Sequence, residues 1–236
     1  MLAILDGDIF VYRIGFASEG ESKGIAISRM ASFVEDLIMM PEIGDYQGYI
    51  TGKGNYRFEI AKEAPYKGNR VAAKPEHYEL LREYLVSAWG FELVEGQEAD
   101  DAIGIKAYTL QPDEYMIYSI DKDLDMIRGW HYNFNKDHKY FVDEDDTLRT
   151  FYKQVLTGDR VDNIPGLKGI GPKKADKILG DSLTEEELFK AVLEAYDNDI
   201  ERMTEMAQLL WIRRKENEMW QPPASRTSNG LTQSQT

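Results

Sequence analysis

The sequence predicts an α/β protein with a mostly parallel central sheet flanked by helices, followed by a helical region. Short apolar runs alternate with stretches of helical periodicity as far as about residue 142. From Asp145 onward the pattern is helical, broken only by the glycine-rich Gly166–Gly171. The 236 residues suffice for one large domain or two small ones. The expected division is residues 1–144, residues 145–220 and a polar tail, 221–236, read as disordered because it has few apolar residues.

Leu2–Leu5 is an apolar run ending at Asp6 and reads as a buried strand. Ile27, Met30, Ala31, Val34, Leu37 and Ile38 recur at helical spacing, predicting an amphipathic helix from about Ser28 to Met40. Tyr46–Thr51 and Tyr56–Ile60 read as two strands of a hairpin around Gly52–Asn55. A loop spans Ala64 to Ala73. Pro75 suits the first turn of a helix carrying Leu81, Tyr84, Leu85 and Ala88, with Gly90 as its stop. Phe91–Glu95 then reads as a strand, Gln97–Leu110 as a helix and Tyr115–Ile120 as a strand ending at Asp121. Trp130–Asn135 and His138–Val142 form a late hairpin.

Composition narrows the chemistry. With 42% hydrophobic and 30% charged residues, wholesale disorder is excluded. No apolar run approaches the roughly 18 residues that a membrane span needs. The start, Met1 to Asp8, meets two acids before any base, so no secretory signal is expected. There is no cysteine, hence no disulfide and no thiolate zinc site. The three histidines (His77, His131 and His138) form no H-E-x-x-H pair. Any metal here is therefore expected on oxygen ligands. The formal charge of −14 argues against coating nucleic acid by bulk electrostatics. Two segments run the other way: Lys62–Lys74 has four bases to one acid, and Arg160–Lys177 has five to two.

Acids stand where such a sheet would gather them. Asp6 ends the first strand, Glu98, Asp100 and Asp101 open the helix after the strand at Phe91, and Asp121 and Asp123 follow the strand at Tyr115. In an open parallel sheet the carboxyl ends of neighbouring strands share a crevice. Carboxylates crowded there raise one another's pKa, and divalent cations such as Mg²⁺ relieve the repulsion. Helix capping explains Glu98 and Asp100 equally well, but on the sequence alone it does not explain Asp6.

Gly158 to Ala175, GDRVDNIPGLKGIGPKKA, reads as a helix–hairpin–helix. Gly-Ile-Gly bends the chain and Pro172 opens the next helix, whose N-terminus suits a phosphate. Lys173 and Lys174 add charge that contacts a backbone without reading sequence. In Tyr66-Lys67-Gly68-Asn69-Arg70 an aromatic able to stack on a base stands beside two cations in a flexible loop.

With these motifs, the region from about Leu2 to Leu179 resembles the flap endonuclease / 5′→3′ exonuclease family, most closely the small bacteriophage and bacterial 5′-nucleases. The resemblance rests on Asp6-Gly7 with Arg13 downstream, Tyr66–Arg70, Glu98–Asp101, Asp121-Lys122-Asp123 and Gly158–Ala175. It implies a 5′-nuclease (PIN-like) α/β domain with a helix–hairpin–helix region. It also implies a two-metal hydrolase that cuts DNA at free 5′ ends in replication or repair. Asp6, Glu98 and Asp100 are then ligands of one Mg²⁺. Asp121, Asp123, Asp159 and Asp162 serve the second, with Asp101 close by and Mn²⁺ able to substitute. Arg13, Tyr66, Lys67 and Arg70 meet the 5′ end, Lys67 and Arg70 also with a catalytic role. Gly169, Gly171, Lys173 and Lys174 hold the duplex, with K⁺ at the hairpin. The implied partner is flap, nicked or duplex DNA, or an RNA–DNA hybrid, bound by a monomer without membrane contact. The implied location is the cytoplasm, the host's if the gene is a phage's.

Two departures stand out. Relatives carry a further metal-binding aspartate in the position aligned with Gly52, so its absence implies weaker metal capture on that side, restored by Gly52→Asp. About 27 residues separate Arg70 from Glu98, where many relatives have a longer arch that threads the 5′ strand. Two rival readings are weaker. A haloacid-dehalogenase-like phosphatase using Asp6 needs Thr or Val where Phe10 stands. A non-catalytic helix–hairpin–helix DNA-binding protein leaves the acids unexplained.

Overall fold

The computed structural model describes residues 1–70, 73–182 and 184–223. The expected tail falls almost wholly outside them. The chain divides into two compact units that exchange segments. The first comprises Met1–Asn55, Val71–Asp143 and Ile212–Glu216, and the second Tyr56–Arg70, Glu144–Trp211 and Asn217 onward.

The first unit is built on a six-stranded sheet. Its strands are β1 (Leu2–Asp6), β2 (Asp45–Thr51), β3 (Glu92–Val94), β4 (Tyr115–Tyr118), β5 (Gly129–Asn133) and β6 (His138–Val142), in the order β3-β2-β1-β4-β5-β6. All neighbours are parallel except the β5–β6 hairpin. Ala3, Ile4 and Leu5 of β1, and all of β4, are buried. Continuous apolar runs of this kind are what a parallel strand covered on both faces requires. The strand order reverses direction at β1, between β2 and β4, so the crevice of this sheet opens at the end of β1.

Helix α1 (Gly7–Ala17) follows β1 with no loop between them. It is absent from the sequence-based elements, although Phe10, Val11 and Ile14 are spaced for one buried face. Asp6 is its N-cap and accepts a hydrogen bond from Ile9 N at 3.2 Å. Capping therefore does account for Asp6, contrary to the sequence expectation. The turn is tight because residue 7 is glycine: a Cβ there would lie 2.5 Å from Tyr49 O and 2.6 Å from Ile50 Cγ1. Helix α2 (Lys23–Ile38) starts about a turn earlier than its apolar periodicity suggested, because Ser22 caps it through Ile25 N. Helix α4 (Tyr78–Trp89) ends at Gly90 in the left-handed conformation, φ 67°, and α5 (Ala99–Tyr108) follows β3.

The second unit is helical. It contains α3 (Arg57–Ile60), α6 (Glu144–Thr157), α7 (Pro172–Leu179), α8 (Glu185–Ala195), α9 (Ile200–Leu210) and a minimal ladder of β7 (Gly158–Asp159) with β8 (Ile164–Pro165). Its core holds Phe151 with Trp211 and Trp220 at ring-centroid distances of 4.9 and 5.9 Å, and Leu188, Val192 and Met206 are buried too. Tyr56–Ile60 is thus not a return strand, and no hairpin surrounds Gly52–Asn55. The buried Arg57 guanidinium sets the backbone instead, donating to Leu209 O at 2.9 Å and Trp211 O at 2.7 Å. Those bonds satisfy a cation that an edge strand would leave in solvent, and alternating polarity cannot reveal them.

Gly7→Ala is expected to destabilise the protein by about 1–3 kcal/mol, since overpacking against β2 forces backbone movement. Urea unfolding measures this, and an unchanged midpoint would show that the strand–helix turn has slack.

Candidate active site

The sheet register assembles the site. Leu5 pairs with Tyr118, so the next residues, Asp6 and Ser119, come level at the carboxyl ends of β1 and β4. Ser119 Oγ donates to Asp6 Oδ2 at 2.6 Å and accepts from Asp121 N at 3.0 Å. One hydroxyl thereby fixes two acids. Asp121 Oδ1 in turn accepts from Asp123 N at 2.9 Å, where a short 3₁₀ turn, Asp123–Met126, begins. On the other flank Thr51 Oγ1, at the end of β2, accepts from Ala99 N at 2.9 Å and so docks the start of α5, which carries Glu98 and Asp100.

The electrostatics follow from burial. Asp6 is 2% exposed, and removal from water lifts its carboxyl from 3.8 to about 7, helped by the charges of Asp8 and Asp121. The bonds from Ser119 and Ile9 pull the other way and are outweighed. Asp100 is raised well above the ordinary carboxylate range, first by burial, then by Asp6, Asp121, Glu98 and Asp123. Asp100 is thus the hub of a basin of mutually repelling acids drawn from β1, α5 and the β4 end. Among the described residues no three His, Asp or Glu side chains are gathered tightly enough to hold an ion as they stand. The donor chemistry nevertheless suits a hard divalent cation, which takes carboxylate oxygens and keeps several waters.

Asp101 has a structural duty as well. Fully buried, it accepts from Glu98 N at 3.2 Å in a reciprocal capping box and from Arg213 N at 3.1 Å. Gly52 is no empty ligand position: its N–H donates to Val94 O at 2.6 Å, and a Cβ would lie 2.5 Å from that same oxygen. An aspartate grafted there would displace backbone before it reached a metal, so Gly52→Asp brings no gain in metal capture, contrary to the sequence expectation. Arg13 is exposed on α1, with its guanidinium 5.4 and 5.3 Å from the Phe33 and Phe134 ring centroids.

The chain is 30% identical over 201 residues to a 5′-3′ exonuclease of Aquifex aeolicus, covering 75% of this chain and 68% of that one. The chain belongs to the 5′-3′ exonuclease family. It is also 32% identical over 219 residues to DNA polymerase I of Bacillus caldotenax, covering 81% of this chain but spanning only 24% of the polymerase. Among solved structures, the bacteriophage T5 D15 protein, co-crystallised with metal ions, shares the fold. Its TM-score is 0.68 at 22% identity, with 89% of this chain and 88% of that chain covered. No family model matches.

The other residues expected from the family lie in the helical unit. Asp162 is held there by Tyr66 Oη at 2.8 Å and Arg70 Nη2 at 2.7 Å, with Lys67 Nζ at 3.6 Å. Lys67 N donates to Asp162 O at 2.8 Å, so the Tyr66–Arg70 segment is pinned rather than flexible. Tyr66 is 4% exposed, its ring edge-on to Phe58 at 5.4 Å, so the ring the sequence offered to a base is turned inward. Phe58, 59% exposed, is the outward aromatic of that pair. Asp159 Oδ1 accepts from Val161 N at 2.6 Å. At the glycine-rich turn Gly169 has φ 78°, Gly171 and Pro172 open α7, and Lys173 and Lys174 are exposed on its first turn. Lys174 Nζ also donates to Gly169 O at 2.8 Å, which ties the turn to the helix. Sequence reasoning missed Ser119 and Thr51: a lone hydroxyl at a strand end carries no signal until the register is known.

Asp6 holds its proton more tightly in the folded chain than in the unfolded one. Its contribution is therefore complete below pH 3.8, is lost as pH rises to about 7, and stays lost above it. Asp6→Asn is accordingly expected to raise the unfolding midpoint in EDTA at pH 8, by up to about 4 kcal/mol in stability. The gain should shrink as pH falls toward 4. Thermal unfolding across pH measures it, and a pH-independent difference would contradict the buried-charge account.

Proposed function

We propose that this chain is a divalent-metal-dependent nuclease that hydrolyses phosphodiester bonds of DNA at free 5′ ends, as a 5′→3′ exonuclease or flap endonuclease. The observation that carries this reading is the basin centred on Asp100. Four neighbouring carboxylates raise its proton affinity in a crevice at the topological switch point of the sheet. Membership of the 5′-3′ exonuclease family supplies the reaction class. Helix capping alone does not call for acids from three separate segments that raise one another's pKa.

Asp6, Glu98, Asp100, Asp121 and Asp123 would hold Mg²⁺ or Mn²⁺, two ions on the family pattern, with Asp101 close by. When bound, these would supply positive charge to the scissile phosphate and the leaving 3′ oxygen. The chain's own contribution is preorganisation. Ser119 and Ile9 N–H fix Asp6, Thr51 docks the helix bearing Glu98 and Asp100, and Ser119 and Asp121 orient Asp123. Asp159, Asp162, Lys67 and Arg70 are assigned to the same reaction by family likeness, as metal-holding acids and phosphate-binding cations. Arg13 is assigned to the 5′ end on the same ground. Gly169, Gly171, Lys173 and Lys174 are assigned to the duplex backbone, which an exposed helix start with two lysines suits, with K⁺ at the turn. A monomer in the cytoplasm fits this role. Among the described residues no helix is long and apolar enough to cross a membrane.

The test is product mapping on 5′-labelled flap, nicked and blunt duplexes, with Mg²⁺ and with EDTA. Cleavage should need the metal and leave 5′-phosphates. Asp100→Asn should lower the rate by about a hundredfold or more while DNA binding in Ca²⁺ persists. Metal-independent cleavage, or wild-type rates from Asp100→Asn, would contradict the assignment.

A further inference from the structure

Asp8 lies outside the acids assigned above. It sits in the first turn of α1, two residues past Asp6, and its side chain crosses to the end of β2. Both its oxygens lie close to Thr51 N, at 3.3 and 3.2 Å. Thr51 is the same residue that docks α5 through Ala99 N, so Asp8 is held where α1, β2 and α5 meet. Its charge bears on Asp6, and the charge of Glu98 bears on it in turn. It therefore lies within electrostatic reach of two of the basin's acids.

On that side β2 contributes no acid of its own. The strand ends in Thr51-Gly52, residue 52 has no room for a side chain, and Asp45 pairs with Leu2 at the opposite edge of the sheet. One cation stands beside Asp8. Arg82 of α4 places Nη1 3.4 Å from Asp8 Oδ1, but its short bond, Nη2 to Thr51 O at 2.6 Å, goes to the backbone. Arg82 is thus anchored independently of Asp8, and the carboxylate is only loosely neutralised.

We propose that Asp8 is a further divalent-cation ligand of this basin, delivered from α1 to the side where β2 offers none, with Arg82 as the cation that competes for it. The proposal rests on the metal-dependent reading of the site. A carboxylate oriented by a backbone N–H is preorganised for a metal, as ligating acids that carry their own hydrogen-bond partners are. Arg82 lowers the affinity on that side by its charge.

The experiment is calorimetric titration of Mn²⁺ into the wild type, Asp8→Asn and Arg82→Gln, with thermal unfolding in EDTA to verify folding. Asp8→Asn keeps the acceptor for Thr51 N and should weaken Mn²⁺ binding by about tenfold or more. Arg82→Gln removes the competing charge and should tighten binding by about threefold or more. If Asp8 merely balances Arg82, Asp8→Asn binds Mn²⁺ as the wild type does, which overturns the proposal. Should Asp8→Asn fail to fold, Arg82→Gln decides alone, and wild-type affinity there overturns it equally. A wild type that neither binds Mn²⁺ nor cleaves DNA with Mg²⁺ would instead overturn the metal-dependent reading itself.

Discussion

A carboxylate buried at the end of the central strand is the constraint on which the sheet unit turns. Asp6 cannot keep its charge at that depth without help, and the structure supplies only part of it, from Ser119 and the first turn of α1. Neighbouring acids make matters worse. A fold that spends stability on such a cluster is holding a place for positive charge, because unpaired buried charges are otherwise among the costliest features a protein can carry. The glycine after Asp6, the hydroxyl of Ser119 and the hydroxyl of Thr51 all serve to keep these acids close without letting them relax into solvent.

Much of this was legible in the sequence. The buried strands β1 and β4 show as apolar runs, the final hairpin as two such runs around a polar turn, and the acids at their ends were identified before any register was known. What was not legible depends on distant partners. Tyr56–Ile60 alternates like a strand, yet Arg57 finds its carbonyls at Leu209 and Trp211, far along the chain. Tyr66 looks like a stacking platform until its hydroxyl meets Asp162. Asp101 reads as chemistry alone, yet it also accepts from Arg213 N, more than a hundred residues away. In each case one polar group was committed to a contact that local pattern cannot encode. The omission of α1 is different, since Asp6 as a cap and the spacing of Phe10, Val11 and Ile14 signalled it, and the acid was read only as chemistry.

The helical unit repeats the theme with the signs exchanged. Arg70 and Lys67 surround Asp162, so the cations and the acid that family likeness assigns to one reaction already neutralise one another. That pairing works against the phosphate contacts proposed for Lys67 and Arg70, so screening rather than pairing must reconcile a net charge of −14 with the proposed DNA partner. On the proposed reading the basic stretches act over short range, and the surplus of acid elsewhere costs little through screened solvent. The exposed start of α7 follows the same economy, with two lysines on one turn and one of them fastened to Gly169 O.

The central claim is that the carboxylate basin is a divalent-cation site. Anomalous scattering from a crystal grown with Mn²⁺ tests it most directly, because it locates the ion independently of any assay. The account predicts an anomalous peak within coordination distance of Asp6 and Asp100. A crystal that holds Mn²⁺ elsewhere, with Asp6 and Asp100 bonded only to protein and water, would contradict it.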